Sequence, residues 1–100
     1  MYVMFSTCPD KKTAEKIAKT LVEKNLVACA SILEIEKSFY KWQGKLVEEE
    51  EYLLIMKAKK DKYDRIEMVL KINHPHKVPE LICMDVTKGN KEYIEWVTRF

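Results

Sequence analysis

The sequence predicts an α+β fold in which helices cover an antiparallel sheet. Apolar residues recur at helical spacing in one segment near the start of the chain and in another past its middle, and the segments between them have strand character. The chain has 100 residues, of which 47% are hydrophobic, so it is large enough for one core and too small for two. We therefore expect a single domain over residues 1–100.

The first two predicted elements are a strand and an amphipathic helix. Residues 2–6 are mostly apolar, and Cys8-Pro9 interrupts them. Asp10 is a good helix N-cap, and the residues after it follow the i, i+3, i+4, i+7 spacing of a helix that should end near Asn25. The residues with this spacing are Ala14, Ile17, Ala18, Leu21 and Val22.

A long hairpin should follow this helix. Residues 27–42 have β character, but their apolar positions change parity between Ile32 and Leu33, which indicates a bulge or burial on both faces. The turn is at Gln43-Gly44, and residues 46–59 return as the second strand. Because residues 52–56 are all apolar, this strand should be central and covered on both faces.

The last third of the chain predicts a helix, a strand and a short helix. Asp61 starts the first helix, which must end near Asn73 because the residue before Pro75 is pushed out of the helical region. Residues 81–87 form the strand, and Gly89-Asn90 ends it. The apolar stripes of the two helices are Ile66, Val69 and Leu70, and then Tyr93, Trp96, Val97 and Phe100.

The predicted order is β-α-β-β-α-β with an additional C-terminal helix. This is the ferredoxin-like arrangement, which places both main helices on one face of an antiparallel sheet. The opposite face of the sheet also needs to be covered, because the hairpin carries aromatic residues and continuous apolar runs. The exposed sheet edges also invite pairing with another chain. We therefore expect a homo-oligomer built through the hairpin.

Composition excludes several classes of partner and location. The 18 Lys and Arg against 16 Asp and Glu leave a net charge of only +2, which does not predict nucleic-acid binding. No apolar stretch is long enough to cross a bilayer, and residues 1–5 read as a strand rather than as a signal peptide. Three widely spaced cysteines without a Cys-x-x-Cys pair favour a reducing compartment. We expect a cytoplasmic protein without nucleic-acid or membrane partners.

His74 and His76 are the only histidines, and they flank Pro75. Neutral imidazole is the commonest metal ligand in proteins, so metal chemistry would start here. Pro75 favours a polyproline path with about 3 residues per turn, on which the two rings point in different directions, so a two-histidine chelate does not follow from the spacing. Either a histidine contacts metal, or both are polar residues of a connection that Pro75 and Pro79 stiffen.

Other candidate residues lie in and near the hairpin. Cys29 lies between small residues, which suits a subunit seam or pocket floor but also an ordinary buried cysteine. Glu51 and Lys57 are the charges nearest the apolar centre of the second hairpin strand, so they are expected to be buried and paired. The aromatic rings of Tyr40 and Trp42 are typical of packing in a core or an interface, and the alternative is that they form a platform for a ligand. The sequence contains no phosphate loop and no Ser-His-Asp order, so an enzyme is disfavoured. It also lacks the aromatic run of an RNA-recognition domain and the pair of cysteines that a metal chaperone carries in its first loop.

Several stretches together resemble one known family over essentially the whole chain. They are Cys8-Pro9-Asp10 and residues 26–30, 38–45, 51–57, 74–80 and 93–96. In this order they resemble the CutA family of divalent-cation-tolerance proteins. The resemblance implies a ferredoxin-like subunit in a tight homotrimer, similar in architecture to nitrogen-regulatory signalling proteins. It also implies a cytoplasmic role in tolerance of copper and other divalent cations, with copper binding and no settled enzymatic activity.

The resemblance also implies which residues form the site. It gives His74 the best claim to metal contact. At His76, where the family usually has tyrosine, the imidazole is either an added ligand or only an isosteric aromatic replacement. We expect Cu²⁺ or a related divalent ion to bind weakly through His74, with Cys29 or a carboxylate nearby. An inter-subunit pocket would contain Cys29, Tyr40, Trp42, Glu51, Lys57 and Glu80. Two alternatives stay open: a signalling or scaffold trimer whose cleft binds a small molecule or an unknown protein partner, and an enzyme that uses Cys29 and Lys57.

Overall fold

A computed structural model of the protein describes all 100 residues and has four strands and three α-helices. The elements are β1 (Tyr2–Cys8), α1 (Lys11–Glu23), β2 (Cys29–Trp42), β3 (Lys45–Ala58), α2 (Tyr63–Asn73), β4 (Ile82–Asp85) and α3 (Lys91–Val97). One turn of 3-10 helix, Lys60–Lys62, precedes α2. The order β-α-β-β-α-β with a final helix is the one predicted, and the α+β fold is confirmed.

The four strands form one antiparallel sheet in the order β2-β3-β1-β4. β1 and β3 are central, and they pair from Tyr2 opposite Ala58 to Cys8 opposite Tyr52. The short β4 pairs only with the first half of β1. β2 and β4 therefore keep one unpaired edge each, as the ferredoxin-like topology requires.

The core lies between the sheet and the helices α1 and α2. Alternate residues of the central strands point into it, because side chains alternate between the two faces of a strand. Its 13 buried residues are Met4, Cys8, Ala14, Ile17, Ala18, Leu21, Leu26, Val27, Leu54, Met56, Ala58, Ile66 and Leu70. Four of them belong to the stripe predicted for the first helix, so that helix presents the predicted face to the core.

Both ends of α1 have the expected capping chemistry. The Asp10 carboxylate accepts a hydrogen bond from the Thr13 backbone N–H at 2.8 Å, as an N-cap does. Asn25 follows the helix with φ of 57°, and Leu26 N–H donates to Leu21 C=O at 3.0 Å. This is a Schellman ending with asparagine at the left-handed position.

Several local predictions differ from the structure. Asp61 does not cap the second helix, because residues 60–62 turn as a 3-10 helix first, and the Lys62 ammonium donates to the Asn25 carbonyl at the end of α1. β4 covers residues 82–85 rather than 81–87, since its only partner is the first half of β1. The predicted bulge in β2 lies between Ile35 and Ser38, a few residues beyond the parity change.

The hairpin continues past the end of β1 as a two-stranded arm, residues 36–50. It makes the molecule elongated, with principal dimensions of 45 × 26 × 21 Å. Gln43 and Gly44 turn the chain with φ of 51° and 78°, the pair of positive values that a type I′ hairpin needs. Large apolar side chains on the arm are open to solvent, with Phe39 61%, Trp42 65% and Leu46 71% exposed.

The sheet face opposite α1 and α2, here called the outer face, is only partly covered. Phe5, Ile55 and Lys57 point to it, and so do Ile82 and Met84 of β4 through their pairing with β1. Ile82 and Met84 are 57% and 56% exposed. The helix α3 reaches this face at the far end of β3, where the Lys57 ammonium lies 5.4 Å from the Tyr93 ring centre.

Candidate functional site

Residues 74–80, here called the strap, connect α2 to β4 and cross the end of β1. His74 anchors its first end and is only 8% exposed. The His74 Nε2 atom lies 2.7 Å from the Thr7 carbonyl oxygen, and the backbone N–H of His76 donates to His74 Nδ1 at 3.0 Å. Both ring nitrogens of His74 are therefore occupied within the chain.

Ser6 anchors the other end of the strap. Its hydroxyl is fully buried and donates to the Glu80 carbonyl oxygen at 2.6 Å. Ser6 lies in β1 between Met4 and Cys8, at a position where the alternation predicts an apolar side chain. A buried hydroxyl needs a partner, and the Glu80 carbonyl supplies it. The strap is thus held at both ends by β1, while His76, Lys77 and Val78 between the anchors are exposed.

The two histidines do not form a preformed metal centre. Their ring centres are 5.0 Å apart with the ring planes inclined by 54°. Nowhere in the structure do three or more His, Cys, Asp or Glu side chains converge as metal ligands. Tight sites usually need three or four protein ligands, and the single chain does not bring that number together. Metal contact at His74 stays a prediction, and an ion would have to displace one of its two hydrogen bonds.

Glu49, Glu51 and Glu80 form what is here called the acidic end of the outer face. Ser38 Oγ donates to Glu51 Oε2 at 3.1 Å, and the Tyr40 hydroxyl donates to Glu49 Oε1 at 2.8 Å. Burial raises the pKa of Glu51, and the neighbouring Glu49 and Glu80 carboxylates raise it further, against the bond from Ser38 that lowers it. The hydrogen bond to Glu49 likewise raises the pKa of Tyr40.

Lys57, Cys29 and Tyr93 form what is here called the basic end of the outer face. Cys29 lies directly opposite Lys57 across β2 and β3, and both are half-buried. The pKa of Lys57 is raised, chiefly by its hydrogen bond with the Tyr93 phenol, and less by the neighbouring Cys29. The Lys57 charge also lies over the Tyr93 ring, an arrangement that favours the ammonium form.

These two ends are separated within one chain. Lys57 follows Glu51 by six positions along β3, which corresponds to about 20 Å along a strand. The three ion pairs of the chain, Lys37–Glu48, Lys60–Asp85 and Lys71–Glu67, include no residue from either end. The expectation that Glu51 and Lys57 are buried with charged partners is therefore wrong for the single chain, where their partners are hydroxyl and carboxyl groups.

The six predicted pocket residues fall into three places in one chain. Tyr40, Glu51 and Glu80 lie at the acidic end, whereas Cys29 and Lys57 lie at the basic end. Trp42 is at the tip of the arm, opposite Lys45. The single chain therefore does not assemble these six residues into one pocket.

Sequence reasoning overlooked several residues that shape these places. Ser6, Ser38 and Glu49 make hydrogen bonds to predicted site residues or to their backbone, and the Tyr93 ring lies beneath the Lys57 ammonium. A signal was present for two of them. Ser6 is a polar residue at a buried parity, and Glu49 precedes Glu51 by two positions and so shares its face. The partners of Ser38 and Tyr93 come from other elements and leave no local signal.

Comparison with known proteins gives one consistent result. A family model described as "CutA1 divalent ion tolerance protein" matches residues 2–99. The "Divalent-cation tolerance protein CutA" of Thermus thermophilus is 38% identical over 95 residues, which cover 95% of this chain and 92% of that protein. The protein of the same name from Pyrococcus horikoshii is 37% identical over 97% of this chain and 94% of its own length.

Solved structures of such proteins have the same fold as this chain. The "divalent cation tolerance protein (Cut A1)" from Thermus thermophilus superposes with a TM-score of 0.95 at 37% identity, covering 99% of this chain and 97% of that one. A protein from Archaeoglobus fulgidus described as "periplasmic divalent cation tolerance protein CutA" has a TM-score of 0.92 at 34% identity, covering 97% and 95%. No helix of the present chain is long and apolar enough to span a membrane.

Proposed function

This chain belongs to the CutA1 divalent ion tolerance family, and we propose that it acts as a homotrimer that binds divalent cations weakly at or near a cleft between subunits. Copper(II) is the cation that we expect to bind best, because imidazole suits it and it leads the affinity order of divalent first-row metals. Weak binding agrees with the lack of three convergent donors within one chain. No enzymatic reaction is assigned to the site.

The observation that carries the trimer proposal is the separation of opposite charges on one face. The acidic and basic ends of the outer face lie about 20 Å apart along β3, so they cannot meet within a chain. A closed ring of three subunits has heterologous interfaces, in which one patch of each subunit meets a different patch of the next. The two ends are complementary patches of that kind, and their contact would bring five of the six predicted pocket residues into one cleft.

Exposed apolar surface supports the same assembly. Phe39, Trp42 and Leu46 on the arm and Ile82 and Met84 on β4 are each more than half exposed. A two-stranded hairpin without a covered face is marginally stable in water. The unpaired edges of β2 and β4 offer backbone groups to a neighbouring chain. A second and a third copy of this chain would cover these surfaces.

Charge reversal tests the cleft. In the proposed trimer, Lys57→Glu places like charges together at the interface, and Glu51→Lys does the same from the other side. Each single variant should therefore dissociate at a higher protein concentration than the wild type, and the double variant should recover part of the loss. The molar mass of each protein is measured by light scattering after size-exclusion chromatography over a dilution series.

The matched control is Lys16→Glu, which reverses a lysine on the exposed face of α1. It should leave the mass unchanged at every concentration. Recovery in the double variant is the decisive result, since a lysine and a glutamate that act separately would give additive losses. Additive losses, or three variants that all behave as the wild type does, would contradict the proposed contact between the two ends.

A second function is favoured by the sparse donor set. If the cleft binds a small molecule or a protein partner and the metal effects are incidental, the subunit needs no convergent ligands, and none converge. Copper titration of the wild-type trimer separates the two. Saturable binding with a whole number of ions per trimer supports the first function, and only non-saturating uptake supports the second.

The cytoplasm is the proposed location. Cys8, Cys29 and Cys83 are all free thiols, as expected in a reducing compartment. The periplasmic description of the Archaeoglobus relative points the other way. Fractionation of the native host decides between them: recovery with cytoplasmic markers supports the proposal, and release with the periplasmic fraction contradicts it.

A further inference from the structure

We infer that His74 is a structural anchor that the fold withholds from metal, and that the imidazole which meets a divalent cation is that of His76. The inference rests on the proposed binding of cations and assigns different tasks to the two histidines. The family resemblance instead gave His74 the better claim. The reason for the change is the chemistry of the two backbone groups that flank the His74 ring.

The hydrogen bonds of His74 determine which ring nitrogen carries the proton. The Thr7 carbonyl oxygen, 2.7 Å from Nε2, can only accept, so Nε2 must carry a hydrogen. The His76 backbone N–H, 3.0 Å from Nδ1, can only donate, so Nδ1 must present its lone pair. The ring is therefore neutral, with its proton on Nε2.

A ring in this state has no lone pair to offer a metal ion. Nε2 is protonated, and the Nδ1 lone pair already accepts the His76 N–H. The ring is also 8% exposed, so an ion would have to enter beneath the strap. Binding at His74 would break one of its two part-buried hydrogen bonds, which costs free energy that weak metal contact does not return.

His76 has the opposite properties. Its side chain is exposed at the top of the strap, and no hydrogen bond of the chain involves its ring nitrogens. What His76 gives to His74 is its backbone N–H, which remains when the side chain is changed. The two tasks can therefore be separated by substitution.

The anchor also positions Glu80. The strap is held by His74 at one end and by the bond from Ser6 to the Glu80 carbonyl at the other. The Glu80 charge is one of those that raise the pKa of Glu51, so the far end of the strap lies near the acidic end. His74 therefore helps to place Glu80 only through the strap, whose far end is fixed by Ser6.

Three variants test the assignment, with CuCl₂ as the probe in isothermal titration of the wild-type and variant proteins. His76→Ala keeps the backbone N–H and should lose copper binding with the strap intact. His74→Gln has an amide that can donate to Thr7 and accept from His76, so it should bind copper as the wild type does. His74→Ala loses both bonds, so its strap should loosen while its copper binding persists.

A second measurement reads the anchor without metal. Long-range ¹H–¹⁵N correlation spectra of the metal-free wild type should show His74 as the neutral form protonated at Nε2. The His76 amide should exchange slowly with solvent, exchange fast in His74→Ala, and be slow again in His74→Gln. Rescue by glutamine distinguishes this bond from a general effect of the substitution on packing.

Two results would overturn the inference. The first is a copper affinity that falls in His74→Gln and is unchanged in His76→Ala. The second is a His74 ring protonated at Nδ1, or at both nitrogens, in the metal-free protein at neutral pH. Absence of copper binding by the wild type would defeat the His76 assignment together with the proposed cation binding, whereas the tautomer measurement would still decide the role of His74.

Discussion

Cys8 illustrates how a single side chain acquires its chemistry from its surroundings. Cys8 is 1% exposed. Burial is the main cause that raises the pKa of its thiol to about 11, and the negative charges of Asp10 and Glu51 add to the effect. The thiolate is the form that reacts and that binds metal. Cys8 is therefore a packing residue at neutral pH, although it stands next to Pro9 and Asp10 in a stretch that resembles the family.

We predict that native Cys8 resists alkylation at pH 8, because almost all of it is the buried thiol. Iodoacetamide should label it in the denatured chain but not in the native protein, as peptide mass spectrometry would show. The Cys8→Ala variant is the control for peptide assignment. Equal labelling of Cys8 in the native and denatured proteins would contradict the prediction.

The same thiol should make stability fall in alkali. Its pKa is raised from 9.0 to about 11, so the folded protein holds this proton more tightly than the unfolded chain does. The contribution of the protonated Cys8 thiol to the free energy of unfolding is complete below about pH 9 and is lost as the pH rises towards 11. Cys8→Ala should show a smaller loss of stability over this interval, measured by urea unfolding.

Residue types along the chain identified several candidate residues but not their partners. The His-Pro-His run predicted metal chemistry, yet the partner that occupies His74 Nε2 is Thr7, 67 residues away in the sequence. Local spacing carries no information on such a contact. Glu51 and Lys57 were identified as the charges nearest the apolar centre of β3, but their neighbours Ser38 and Tyr93 come from other elements.

At the scale of elements, strongly patterned segments were predictable and their ends were less so. The stripe of α1 and the hairpin turn follow from local chemistry, and so does the presence of a bulge in β2, although not its position. The start of α2 does not, since a 3-10 turn tied to Asn25 replaces the cap expected at Asp61. The length of β4 depends on how much of β1 is left to pair with it.

The turn of the arm gives a prediction at this scale. Gly44 has φ of 78° and no atom within 4 Å of where a Cβ would stand, so Gly44→Ala strains the backbone without a clash. The left-handed conformation costs a non-glycine residue about 1–2 kcal/mol, and unfolding stability should fall by that amount. Gln43→Asn, which suits φ of 51°, should raise stability by less than about 1 kcal/mol.

Urea unfolding measures both variants, at one fixed protein concentration because stability of an oligomer depends on it. Equal stability of Gly44→Ala and the wild type would show that the turn does not keep the conformation described here. A loss in Gln43→Asn would contradict the assigned turn type.

At the scale of the whole molecule, one chain is elongated and leaves apolar surface uncovered. Its radius of gyration is 14.2 Å, against about 13 Å for a compact domain of 100 residues, and the projecting arm accounts for the difference in shape. The hairpin aromatics predicted that another chain would be needed. They did not predict that five of the six pocket residues divide between two ends of one face, because the end at which Cys29 and Tyr40 lie depends on the register of β2 and β3.

Sedimentation equilibrium of the wild-type protein tests most directly whether three copies of the chain assemble, as the proposed ring requires. At micromolar concentration and neutral pH, we predict a single species of three times the chain mass of 11.9 kDa. A monomer at that concentration, or an assembly whose mass is not three chains, would contradict the proposed ring.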